Sequence, residues 1–225
     1  MPKMEDYKDC HKDEDVYVLA SGKSVDFIPT SFFENKTIIG VNQVYKKNTC
    51  KYLLRKECDL LNEAIKSAPK AVHFISRLRC GCQDANQQYI KKFKITDTSK
   101  IVIYNHNINT CKMPKTLPKE PSLVTSHSTI TTAIHLAAYM GAKNIILVGH
   151  DGGLINGECN FKGYHTDSTY KITWSGGKKD YKKWVTNIDD QTITLKAMLK
   201  TKYNCNICSI NPFINFNLEG NKYSR

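Results

Sequence analysis

The stretch TSHSTITTAIHLAAYMGAKNIILVGHDGG, residues 125–153, constrains the fold more than any other part of the chain. Ser126 or Ser128 stands where a helix cap is needed, and Ile130, Ile134, Ala137, Ala138 and Met140 recur as a helical apolar stripe. Gly141 offers the left-handed residue that ends a helix. Ile145–Gly149 then runs apolar without alternation, the pattern of a strand covered on both faces. A helix feeding directly into a doubly covered strand is part of a βαβ unit, and that unit requires a parallel sheet.

The remaining chain repeats the alternation. Val16–Ala20, Thr37–Val41, Cys50–Lys56, Ala71–Ser76 and Ile101–Asn105 read as strands, and Cys205–Ile210 as the last. Leu60, Leu61, Ala64, Ile65 and Ala68 mark a helix ended by Pro69, and Ile188–Lys202 reads as another helix. The expected fold is α/β: a three-layer, Rossmann-like domain over 1–225, with a mostly parallel sheet and flanking helices. Residues 1–14 are expected to pack loosely, and 152–187 to form an active-site loop or lid.

Composition narrows the class without choosing a ligand. Hydrophobic residues make up 40% and charged residues 24%, enough for a core and against wholesale disorder. No apolar run approaches the roughly 20 residues of a membrane span, and the first fifteen residues lack the apolar core of a secretory signal. A cytoplasmic protein is expected. The net charge of +12 favours anions of every kind, but only four arginines occur and the lysines are scattered. Nine cysteines cannot all pair internally. Cys80-Gly-Cys82 and Cys205-Asn-Ile-Cys208 lie too far apart in sequence for a zinc ribbon, so buried thiols are expected instead.

In open parallel sheets, ligands bind beyond the carboxyl ends of the strands. That rule selects four loops. Ser21-Gly22-Lys23-Ser24 contains GKS, but a Walker loop needs glycine at position 17, where Tyr17 stands; the turn can still offer N–H groups to a phosphate. Asn42-Gln43 carries carboxamides that either cap a turn or read a base or ribose. Ser126-His127-Ser128-Thr129 combines hydroxyls with the free N–H groups of a helix start. Gly149-His150-Asp151-Gly152-Gly153, with His165 beyond it, offers acid/base or metal-binding side chains beside flexible glycines. His73 and His135 lie in apolar runs and read as core.

Three segments together, VYVLASGKSVDFIP, IIGVNQVY and TTAIHLAAYMGAKNIILVGHDGGLINGECNFKGYH, resemble a known superfamily. It contains the small bacterial sialyltransferases, the motility accessory factor glycosyltransferases and the 6-hydroxymethylpterin diphosphokinase-like proteins. The resemblance implies that Gly22, Ser24 and Asn42 contact the nucleotide, that Ser128 or Thr129 is the helix-start hydroxyl, Asp151 the strand-end acid and His165 the histidine that follows it. The strand-end loops add Lys23, Gln43, Ser126 and Gly152 as nucleotide or donor contacts, and His150 joins Asp151 and His165 as a catalytic candidate. The sialyltransferases carry a late histidine just before the final helix; here that stretch is Thr186-Asn187.

The leading expectation is therefore transfer of a sugar, sialic or a related nonulosonic acid, from a nucleotide-sugar donor to an acceptor hydroxyl. A cytidine nucleotide is favoured, and no obligatory metal or cofactor is expected. One alternative is pyrophosphoryl transfer with magnesium held by Asp151 and either Asp167 or the Asp189-Asp190 pair. Another is a non-catalytic module binding a nucleotide or nucleic acid. Association into homo-oligomers is left open.

Overall fold

The computed structural model describes residues 1–56, 60–77, 90, 95, 97–107, 112–164 and 177–210. Seven strands form one sheet: β1 (Asp15–Leu19), β2 (Thr37–Val41), β3 (Tyr52–Arg55), β4 (Val72–Ser76), β5 (Ile101–Tyr104), β6 (Asn144–Val148) and β7 (Asn206–Ser209). Their spatial order is β5-β4-β3-β2-β1-β6-β7, and every pairing is parallel. The expected α/β, Rossmann-like architecture is observed. The chain builds outward from β1 to β5 and then returns to β6 on the other side of β1, so the switch of direction falls between β1 and β6.

Near-continuous burial along the strands follows from their composition. Val16, Val18, Leu19, Ile145, Ile146, Leu147 and Val148 are all fully buried, because layers cover both faces of the sheet centre. On one face lies the central helix, Thr129–Tyr139, packed against β1, β2, β3 and β6 and against the long helix, Gly177–Tyr203. Every residue of the central helix from Ile130 to Tyr139 is buried, including Thr131, Thr132 and His135. Its polar members are satisfied locally: Thr125 and Thr132 share a hydroxyl contact of 3.2 Å, and the Val124 N–H donates to His135 Nδ1 at 2.8 Å. Burial pushes the His135 imidazole down to about 3 and the His73 imidazole to about 4, so both are neutral core groups, as the sequence implied.

Two expectations need correction. Residues 1–14 do not pack loosely. A short 3-10 turn (Met4–Tyr7) buries Met4, and the N–H groups of Asp9, His11 and Asp13 donate to the carbonyls of Tyr139, Met140 and Gly141. The segment caps the end of the central helix, which Gly141 leaves at φ +88°. Residues 177–187, the end of the stretch expected to form a loop or lid, are the opening turns of the long helix. Cys205 and Cys208 are buried beside and within β7; Cys80 and Cys82 lie outside the described residues. No helix among the described residues is long and apolar enough to cross a membrane.

Candidate functional site

The switch between β1 and β6 opens into a cleft of about 270 Å³. Its floor is Ser21 and Gly22 after β1, Asn42 after β2, and the 149–153 loop after β6. Two close backbone approaches build that floor. The Gly22 N–H donates to the Gly149 carbonyl at 2.9 Å, and a Cβ on Gly22 would overlap that carbonyl and the Asp151 carboxyl. Gly149 itself sits at φ +69°, against Val25 and the Ala20 carbonyl. Glycine at both positions is therefore a steric requirement of bringing two strand-end loops together.

Asp151 locks the junction. One carboxylate oxygen accepts from the Ser24 N–H at 2.7 Å and the other from the Ser24 hydroxyl. Asn42 adopts the left-handed conformation (φ 54°), its N–H donating to Leu54 and its carbonyl accepting from the buried Arg55 at 3.0 Å. The buried Tyr164 phenol hydrogen-bonds with Ser21 and Asn42; burial pushes its pKa up, and those two bonds oppose the rise. Ser21 also donates to Asn160 Oδ1 at 2.9 Å, while the Phe161 N–H donates to the Ser21 carbonyl. The 159–164 segment is thus fastened across the mouth of the first loop.

Opposite the floor, the start of the central helix presents His127, Ser128 and Thr129. The Ser128 hydroxyl caps the helix, accepting from the Ile130 N–H at 3.4 Å. The positive end of the helix dipole and its first-turn N–H groups favour an anion there. Val185, Ile188 and Asp189 of the long helix close the remaining wall.

His150 is buried, and burial pushes its imidazole down to about 4, so it is neutral at physiological pH. Its Nε2 lies 3.3 Å from the Thr192 hydroxyl and 3.9 Å from Asp189 Oδ1. Burial, followed by the neighbouring Asp190 charge, raises the Asp189 carboxyl from 3.8 to about 7.

Of the residues selected from the sequence, Gly22, Asn42, Ser128, Thr129, His150, Asp151 and Gly152 line this one cleft. Lys23, Ser24, Gln43 and Ser126 do not. Lys23 pairs with Asp26 at 3.1 Å and with Glu158; Ser24 serves Asp151; Gln43 precedes a short 3-10 turn (Val44–Lys46); the buried Ser126 hydroxyl meets Thr131 at 2.8 Å. His165 lies outside the described residues. Sequence reasoning missed Asn160 and Tyr164 as cleft residues, and it treated Asp189 only as half of a carboxylate pair. No motif marks them; Asp189 stands out only once the helix register Val185, Ile188, Thr192 and Leu195 is known to face inward. Among the described residues, no group of three or more His, Cys, Asp or Glu is placed to hold a metal ion.

No family model matches the chain, and no curated protein matches it. Among solved structures it is similar to the sialyltransferase CstII from Campylobacter jejuni in complex with a substrate analogue, CMP-3FNeuAc. That likeness has 14% identity and a TM-score of 0.52, covering 94% of this chain and 88% of the other. The same sialyltransferase with a trisaccharide acceptor and CMP gives 14% identity and a TM-score of 0.51, with the same coverage. With CMP alone it gives 15% and 0.50, covering 92% and 88%. At these identities the shared property is the fold, and the structures that share it are sialyltransferases.

Proposed function

We propose that the chain is a glycosyltransferase that binds a cytidine nucleotide sugar in the switch-point cleft and transfers its sugar, a sialic or related nonulosonic acid, to an acceptor hydroxyl. The observation that carries the reading is convergence: Gly22, Asn42, Thr129 and Asp151, far apart in sequence, border one opening at the carboxyl edge of the sheet. The solved structures of similar fold contain CMP or a CMP-sugar analogue, which supports the choice of nucleotide.

The arrangement suits displacement at an anomeric carbon. The donor phosphate is seated at the start of the central helix, where N–H groups and the Ser128 and Thr129 hydroxyls meet the charge that grows as the bond to the sugar breaks. Donors fixed in place before reaction need no reorganisation, which is where such sites gain most of their rate. Asp151, with both oxygens turned to Ser24, acts by holding the two glycine-bearing loops in register. Lys23, neutralised by Asp26 and Glu158, fastens the 154–164 segment and does not reach the phosphate. Because hydroxyls and N–H groups meet the phosphate, turnover requires no added magnesium.

The test is a binding and release experiment. CMP is expected to raise the melting temperature in proportion to the logarithm of its concentration, more than ATP does. CMP-sialic acid is expected to release CMP in the presence of EDTA. Preferential binding of ATP with magnesium-dependent AMP release would overturn this reading in favour of pyrophosphoryl transfer. Binding to DNA or RNA that weakens steeply with salt, without nucleotide binding, would overturn it in favour of a nucleic-acid module.

A further inference from the structure

The long helix turns an inward stripe of Val185, Ile188, Thr192, Leu195 and Leu199 toward the body of the protein, all of them buried. Asp189 shares that stripe and is its only acid among the described residues. The Asp189 Oδ1 atom is shielded from solvent and has no hydrogen-bond partner among the described residues, although the residue lines the cleft. Most buried carboxylate oxygens in proteins are bonded, so a carboxylate with one unbonded, shielded oxygen is a basic group, and its side chain, 21% exposed, opens on the cleft.

The Nε2 atom of the neighbouring imidazole is not a proton acceptor toward this wall. The Thr192 hydroxyl donates its single proton to the Ile188 carbonyl at 2.8 Å, so toward His150 Nε2 at 3.3 Å it can only accept. His150 Nε2 therefore carries the hydrogen, and it presents a donor toward Asp189, 3.9 Å away.

We infer that Asp189 is the group that takes the proton from the acceptor hydroxyl, with His150 and Thr192 fixing the wall beside it. The assignment rests on the transferase reading above. As the acceptor oxygen bonds to the anomeric carbon, the bond from that carbon to the phosphate oxygen breaks and its electron pair leaves with CMP. The hydroxyl proton passes to the Asp189 carboxylate, and the neutral acid then returns it to solvent. A carboxyl held near 7 is matched to that task, since it is partly ionised at neutral pH and basic enough to accept a proton. Among the described residues, the titratable groups that line the cleft with it are His150 after β6, Asp151, Cys159 and Tyr164 across the cleft, and His127 before the central helix, and Asp190 follows it on its own helix.

The experiment compares wild type with Asp189→Asn and Asp189→Glu, following CMP release from CMP-sialic acid, with water serving where no acceptor sugar is supplied. Asp189→Asn is expected to lower kcat by about 10²–10⁴-fold, the usual contribution of a general base, while the Kd for CMP stays within about twofold. Wild-type kcat/KM should rise with pH along a limb centred near 7 that Asp189→Asn lacks and Asp189→Glu partly restores. Turnover by Asp189→Asn within about tenfold of wild type, or survival of the limb in that variant, would overturn the assignment. So would a wild type that binds CMP and releases none. Failure of wild type to bind CMP at all would instead defeat the transferase reading itself, and the base assignment with it.

Discussion

Gly22 shows how a single hydrogen in place of a side chain decides whether the cleft exists. Its alpha carbon packs against the Gly149 carbonyl and the Asp151 carboxyl, leaving no room for a methyl group. Gly22→Ala should push the 149–153 loop away, break the Ser24–Asp151 bonds and cost about 2–3 kcal/mol, as overpacked sites do. Because the same movement unseats the floor, CMP affinity should fall at least about tenfold, the equivalent of 1.4 kcal/mol at the ligand. Urea denaturation and CMP titration of one preparation check both; a variant with normal stability would show that the loops do not depend on this approach. The glycines and Asp151 were legible in the sequence because strand ends carry sites in parallel sheets, and the strands themselves were clear. Asp189 was not, since its position relative to the cleft depends on the rotation of a helix whose neighbours lie far away in the chain.

At the scale of elements, the apolar strands and the central helix could be read from their own residues, whereas the elements held by contacts from elsewhere could not. The long helix begins at Gly177 although KKDYKKW shows no apolar stripe, and its described inward face begins only at Val185. The N-terminal segment looks like a charged tail, yet it is fixed by bonds to the end of the central helix and by His11. That histidine is buried, with Nδ1 2.7 Å from Glu14 and Nε2 2.8 Å from the Tyr52 hydroxyl, so it ties the segment to β3. Tyr7 adds edge-on ring contacts with Tyr52 and Phe74. His11→Ala leaves the Tyr52 hydroxyl without this partner and opens a void, and should destabilise the protein by about 1–3 kcal/mol. CMP affinity should be unchanged, because the segment packs at the opposite, amino-terminal edge of the strands. Chemical denaturation alongside nucleotide titration separates the two effects.

For the molecule as a whole, the strand order was the least legible feature: local residues announce that strands alternate with helices, but the position of β6 beside β1 depends on contacts spread across the chain. Electrostatics at this scale divides the carboxylates into two kinds with opposite pH behaviour. Glu120 joins three distant parts, accepting from Lys8 at 2.8 Å, Tyr203 at 3.0 Å and Lys202 at 3.1 Å. The Lys8 bond leads, burial opposes it, and with Lys202 and Tyr203 the balance holds Glu120 at about 2 instead of 4.5. A depressed carboxyl stabilises the fold above its unfolded pKa, and that contribution disappears as pH falls from 4.5 through 2. Asp189 behaves in reverse. Its folded pKa of about 7 lies above 3.8, so the native state holds a proton that the unfolded chain releases, and stability is lost as pH rises between those values. Glu120→Gln should therefore be less stable than wild type at pH 7, by about 1 kcal/mol given partial solvent screening, with the gap closing near pH 2. Asp189→Asn should be more stable than wild type at pH 8 and should converge with it near pH 4. Melting temperatures of the two variants across pH 2–8 test both signs together. Parallel curves would mean that neither carboxyl is shifted, whereas divergence in opposite directions would separate an acid that holds the fold together from one whose buried charge weakens it.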